Sequence, residues 1–141
     1  KDAKRLFYTT YRFGNPDIYE LDLLERRPKP VFTRQGLNLP GAVSPDGAGL
    51  LVTATSDGRS PKLYLVDLLT RKPKQLSFHT GVDSSGCFSP DGREVAFVSD
   101  RSGNPQIHIL QVETGRVSKF TDLNWCDSPS WQPTGDRAGA E

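Results

Sequence analysis

The sequence predicts an all-β fold, a β-propeller of four-stranded antiparallel blades with three blades in the chain. Two observations carry this reading. First, a turn tetrapeptide recurs: Ser44-Pro45-Asp46-Gly47, then Ser89-Pro90-Asp91-Gly92, then Gln132-Pro133-Thr134-Gly135, which keeps the Pro and the Gly. Pro presets φ at the second position of a type I turn, Asp bonds back to the backbone, and Gly takes the left-handed position that closes a hairpin. Second, the spacing is about 44 residues, within the period range of solenoids and propellers. No segment sustains a helical period.

Each repeat offers four strands, A to D. The B strands are Leu6-Phe7-Tyr8-Thr9, Leu50-Leu51-Val52-Thr53 and Val95-Ala96-Phe97-Val98, apolar enough to lie between sheets. Gly- and Pro-punctuated loops follow, ending at Pro16, Pro61 and Pro105. The C strands are Asp17-Ile18-Tyr19-Glu20-Leu21, Lys62-Leu63-Tyr64-Leu65-Val66 and Gln106-Ile107-His108-Ile109-Leu110. The prolines stand at strand starts, where a missing N–H does least harm. Turns at 22–25, 67–70 and 112–115 lead to D strands ending in Val31-Phe32-Thr33, Gln75-Leu76-Ser77 and Lys119-Phe120-Thr121. The A strands contain Ala42-Val43-Ser44, Cys87-Phe88-Ser89 and Ser130-Trp131-Gln132.

The expected organisation is a half-propeller over residues 1–136 and a tail over 137–141. Blade 1 has strands B to D in 4–33, blade 2 occupies 40–77, blade 3 occupies 84–121, and an extra A strand occupies 128–133. Read this way, the first blade lacks its A strand and the last A strand lacks its blade. Propellers typically have about 4–8 blades. Two copies are therefore expected to form a six-bladed homodimeric ring, each donating Ser128, Ser130, Trp131 and Gln132 to the other. The alternative is a fragment of a larger propeller, whose open edges seek partners.

Composition excludes several function classes. The 141 residues are 35% hydrophobic and 25% charged, with a formal net charge of +1. Acids and bases are interspersed, so no basic stripe points to nucleic acid. No apolar run reaches the length of a membrane span, and no apolar signal region follows Lys1. Cys87 and Cys126 read as free packing or loop residues, with a disulfide between neighbouring repeats as the alternative.

The combined pattern resembles the TolB-type propeller family. It comprises Phe88-Ser89-Pro90-Asp91-Gly92, the run from Val95 to Ile107, Glu113-Thr114-Gly115 and Phe120-Thr121, in three copies covering nearly all of the chain. Arg34-Gln35-Gly36-Leu37-Asn38 strengthens the likeness. Gln111 departs from it, standing where Asp22 and Asp67 hold the equivalent places, as does Val43 at a position where an aromatic is usual. The family's N-terminal α/β domain and three further blades are missing from this sequence. The resemblance implies a periplasmic, non-catalytic protein of the Tol–Pal cell-envelope system. It also implies binding of a peptidoglycan-associated lipoprotein over the propeller mouth. Related repeats also occur in the substrate-gating propellers of exported peptidases, which is the alternative reading; a self-assembling half-propeller of unknown ligand is another.

The search for chemistry finds no Gly-x-Ser-x-Gly elbow, Walker loop, His-Glu-x-x-His or paired-Cys motif. No catalytic, cofactor or metal residues are expected. Asp46 and Asp91 read as turn residues, His108 as a packed strand residue, and Asp57 and Asp100 as loop hydrogen-bonding groups. The D–A loops, which share one end of a propeller with the B–C loops, are the candidate partner-binding surface. Trp125 is the sharpest residue, because Trp is enriched at binding hot spots. Arg34, Asn38, His79, Asp83 and Asn124 are expected to form a polar rim around it.

Overall fold

The computed structural model describes residues 4–56 and 58–133. Its strands form three antiparallel sheets in chain order. The first holds β1 (Arg5–Thr10), β2 (Asp17–Asp22) and β3 (Pro28–Phe32). The second holds β4 (Asn38–Val43), β5 (Gly49–Ala54), β6 (Lys62–Asp67) and β7 (Pro73–Gln75). The third holds β8 (Asp83–Phe88), β9 (Glu94–Ser99), β10 (Gln106–Gln111) and β11 (Val117–Lys119). Each is a meander in which sequence neighbours pair, as in a propeller blade.

The repeated turns form as their chemistry dictates. Ser44 Oγ donates to Asp46 Oδ1 at 2.5 Å and accepts from the Gly49 amide at 2.8 Å. Ser89 repeats this, donating to Asp91 Oδ1 at 2.6 Å and accepting from Glu94 N at 3.0 Å. Gly47 and Gly92 take the left-handed conformation, at φ 76° and 74°. The serine hydroxyls hold the Asp46 and Asp91 carboxyls below the usual value of 3.8. The C–D turns use a second device. Asp22 Oδ1 accepts from Leu24 N and Glu25 N, and Asp67 Oδ1 from Leu69 N and Thr70 N. The Gln111 side chain, at the equivalent place, accepts from Thr114 Oγ1 at 3.4 Å.

The core lies between the blades rather than within them. Ile18, Val31 and Phe32 of the first sheet pack with Leu50, Val52, Tyr64 and Val66 of the second. Leu51, Leu63 and Leu76, on the second sheet's other face, pack with Phe88, Val95, Phe97 and Leu110 of the third. Strand β5 is therefore buried along its whole length. The A strands approach closely: a Cβ on Gly41 would stand 3.0 Å from Leu51 O and 3.2 Å from Gly86 O. A polar tie crosses the seam between blades 1 and 2. Arg71 on blade 2 donates to Glu20 on blade 1 at 2.6 Å, and Arg5 lies 3.7 Å from the other Glu20 oxygen.

Strand boundaries differ from the sequence expectation at the D and A strands: β3, β7 and β11 end at Phe32, Gln75 and Lys119, before residues 33, 77 and 121. β4 and β8 begin at Asn38 and Asp83, earlier than residues 40 and 84, because buried polar side chains start each strand. Residues 128–133 do not form a strand. An A strand is held by the B strand of its own blade, as β4 is by β5 and β8 by β9, and no described residue fills that role here. The segment keeps the A-strand course nonetheless. Ser128 is left-handed at φ 51°, as is Ser85 at φ 53° in the equivalent place on β8. Cys87 Sγ donates to Pro129 O at 3.1 Å, which lays the segment along β8. The closing residues of the third turn, the 137–141 tail and Asp57 lie outside the described residues.

His108 packs on the Phe97 ring at 5.8 Å and is 2% exposed, where the other blades carry Tyr19 and Tyr64. Burial lowers its pKa from 6.5, assisted by Arg101 and Lys119 and opposed by Asp83 and by its bond to Gln106 O. A folded value below the unfolded one means that stability is present above pH 6.5 and falls as pH drops through the folded value. The depressed aspartates act in the same direction, but only near and below their ordinary 3.8. A melting-temperature profile is thus expected to fall in two stages on acidification. His108→Tyr should abolish the upper stage, worth a few degrees, and leave the lower one. A single unchanged stage in both proteins would contradict this account.

Candidate functional site

Antiparallel order places the B–C loops and the D–A loops at one end of every sheet. The two loop sets are tied there by a repeated bond. Pro16 O accepts from Asn38 Nδ2 at 2.9 Å, Pro61 O from Asp83 N at 3.0 Å, and Pro105 O from Cys126 N at 3.0 Å. Each bond joins a B–C loop to the start of the next A-strand segment. This end is the candidate site.

The sequence-predicted residues divide into two groups. Asn38 and Asp83 are fully buried and serve the frame, so they are not part of an exposed rim. Besides Pro16 O, Asn38 Nδ2 donates to Arg34 O at 2.5 Å, and Asp83 Oδ1 accepts from Arg101 at 3.0 Å. Asn38 Oδ1 and Asp83 Oδ2 are left without a partner among the described residues. Arg34, His79, Asn124 and Trp125 are exposed. Arg34 stacks over Phe32 at 5.2 Å and Tyr64 at 5.7 Å. His79 Nδ1 accepts from Gly81 N at 3.0 Å, so its neutral ring carries its proton on Nε2. Trp125 is 70% exposed over a small cleft of about 280 Å³ shared with Val82, Val98 and Pro105. Ser128, Ser130 and Gln132 are exposed, while Trp131 is half-buried with its indole N–H unpartnered among the described residues.

Sequence reasoning missed other exposed aromatics at this end. Phe78 is 77% exposed in the D–A loop after blade 2, and Tyr11 and Phe13 are 66% and 67% exposed in the first B–C loop. Their signal was present in the sequence: an aromatic inside a polar loop, the criterion that singled out Trp125. Arg59, Lys62 and His79 meet beneath Phe78 in a cleft of about 640 Å³.

Asp100 behaves as a loop residue, accepting from Val82 N at 2.8 Å. Both cysteines are free. Burial raises the Cys87 pKa, which makes it a weak nucleophile. Among the described residues no group of three or more His, Cys, Asp or Glu could hold a metal ion. No helix among them is long and apolar enough to cross a membrane.

Comparison with known proteins agrees with the sheet arrangement. TolB from Acinetobacter baumannii superposes with a TM-score of 0.75 at 31% identity, over 86% of this chain and 31% of that chain. A putative TolB from Agrobacterium tumefaciens superposes at 0.78 with 26% identity, over 85% and 43% of the two chains. This chain therefore spans less than half the length of the TolB structures it matches. An oligogalacturonate lyase from Vibrio parahaemolyticus shares the fold at a TM-score of 0.65, with 16% identity over 82% of this chain and 36% of that one. No curated protein matches. The family described as TolB beta propeller domain matches residues 1–138, and the chain belongs to that family.

Proposed function

We propose that this chain is a non-catalytic protein-binding module of the periplasm, which presents its D–A and B–C loops to the peptidoglycan-associated lipoprotein of a Tol–Pal system. The observation that carries the reading is the loop end itself. Trp125, Phe78, Tyr11 and Phe13 are each more than 60% exposed there, beside the exposed polar side chains of Arg34 and His79. Exposed aromatics gathered at one end mark interaction surfaces, and aromatic and Arg anchors dominate their energetics. The partner's class is our extension from the likeness to TolB propellers.

The rim is testable by calorimetry against the purified lipoprotein. Trp125→Ala and Phe78→Ala should each weaken binding about tenfold or more. Both side chains are exposed, so melting temperature should hardly move. Unchanged affinity in both variants would sink the assignment of the rim.

We also propose that two copies close a six-bladed ring. This reading is favoured by two complementary edges. β1 pairs only with β2 among the described residues, leaving its other side open. Residues 128–133 keep an A-strand course along β8, with no B strand paired to them among the described residues. Ser128, Ser130, Trp131 and Gln132 of one copy would run beside β1 of the other. Light scattering is expected to give twice the mass of one chain, falling to one when residues from Ser128 onward are deleted. A monomer before deletion, or a dimer surviving it, would contradict the ring.

A further inference from the structure

The end of the sheets opposite the loops carries bare leucines on two neighbouring C–D turns. Leu24 follows β2 and is 75% exposed; Leu69 follows β6 and is 92% exposed. From each tip the chain runs on into basic residues: Arg26, Arg27 and Lys29 in blade 1, Arg71, Lys72 and Lys74 in blade 2. All of these but the half-buried Arg71 are exposed. The two turns stand side by side. Arg71 reaches Glu20 Oε2 at 2.6 Å, and Glu20 lies near the end of β2. Stacking of the blades thus gathers two segments that the sequence keeps a full repeat apart.

Neither the leucines nor the basic residues are needed to make the turn. All three C–D turns close with the same backbone bond, from Arg26 N to Asp22 O, Arg71 N to Asp67 O and Gly115 N to Gln111 O, each at 2.8 Å. In the third turn Glu113 stands where the first two carry Leu24 and Leu69, and Gly115 and Ser118 stand where they carry an arginine and a lysine. Arg26 and Arg71 hold left-handed φ values of 54° and 60°, a conformation that glycine adopts at less cost. Arg71 has Glu20 as its partner, whereas Arg26 forms no ion pair among the described residues.

The carboxylates in the two segments are Asp22, Glu25 and Asp67, so the basic side chains outnumber them. Lys4 and Arg5 lie beside the first turn, Glu20 is engaged by Arg5 and Arg71, and Asp46 shares this end on an A–B turn. Counting these too leaves the excess positive, and Lys1 and Asp2, outside the described residues, cancel in formal charge.

We propose that the C–D turns of blades 1 and 2 dock this end of the protein on an anionic phospholipid surface. Leu24 and Leu69 enter the headgroup layer, and the basic residues behind them meet the lipid phosphates. Fully projecting tips suit a headgroup layer, which yields to them, whereas a protein partner has to offer a packed pocket for each anchor. The loop end then faces away from the lipid. The docking does not rest on the function proposed above.

The test is co-sedimentation of the full chain with vesicles of equal parts phosphatidylglycerol and phosphatidylcholine, and with vesicles of phosphatidylcholine alone. The chain should bind the first and not the second, and less as salt rises. Leu24→Ser combined with Leu69→Ser should weaken binding about tenfold or more. Both side chains are exposed, so melting temperature should hardly move. Arg27→Gln combined with Lys72→Gln should have a similar effect. Leu123→Ser removes a leucine that is 67% exposed at the opposite end, and should leave vesicle binding unchanged. No binding, equal binding to both vesicles, no effect of the leucine pair, or loss of binding with Leu123→Ser would overturn the proposal. Displacement from vesicles by glycerophosphate would overturn it as well, by showing a site for a soluble phosphate. So would a dimer in light scattering that the leucine pair abolishes, which would assign the tips to a second copy.

Discussion

The structure depends on one constraint: each sheet is apolar on both faces, so each sheet must be covered twice. In blade 2 the alternation along β5 sends Leu50 and Val52 to one neighbour and Leu51 to the other. Burial of such side chains is worth roughly 1.5–3 kcal/mol each, and here it is gained only by stacking. A blade is thus a unit of repetition but not a unit of stability, as expected for repeat proteins. Among the described residues, the middle sheet alone has both faces enclosed by strands. Blade 1 keeps Leu6 51% exposed on β1.

Polar ties reinforce the stack without driving it. The B–C loop carbonyl of each blade receives an N–H from the start of the next A-strand segment, three times over. At the opposite end, Glu20 reaches across to Arg71. These ties fix the angle between blades, and Gly41 lets the A strands meet near the axis. With the frame held by buried groups, the loops at one end are free to carry exposed aromatic and basic residues. The proposed function grows from that division of labour.

Much of the fold was legible because turn chemistry is local. Ser-Pro-Asp-Gly turns and their spacing marked the repeat, and every A-to-D meander runs in the expected order. The strand starts were less legible. Asn38 and Asp83 look like loop residues because polar side chains usually face water, yet each is buried with hydrogen-bond partners distant in sequence. The segment 128–133 has the composition of an A strand, but a ladder needs a second strand, and no local pattern reveals whether one is present. In the candidate site, Trp125 and His79 were found by type and position. The cleft was not, since Lys62 reads as an ordinary strand start. Its bond to Gly81 O, like that of Gln106 to Leu123 O, joins residues too far apart in sequence for a local pattern to reveal.

The central claim is that stability resides between blades, and native-state amide hydrogen exchange tests it most directly. The slowest amides are expected in β5 and β6, opening only with global unfolding, while β1 and β2 exchange through local opening of the outer blade. That gradient would show a stack secured from its middle outward. Equal protection of all three blades, or faster exchange in β5 than in β1, would contradict the claim and return the source of stability to the individual sheet.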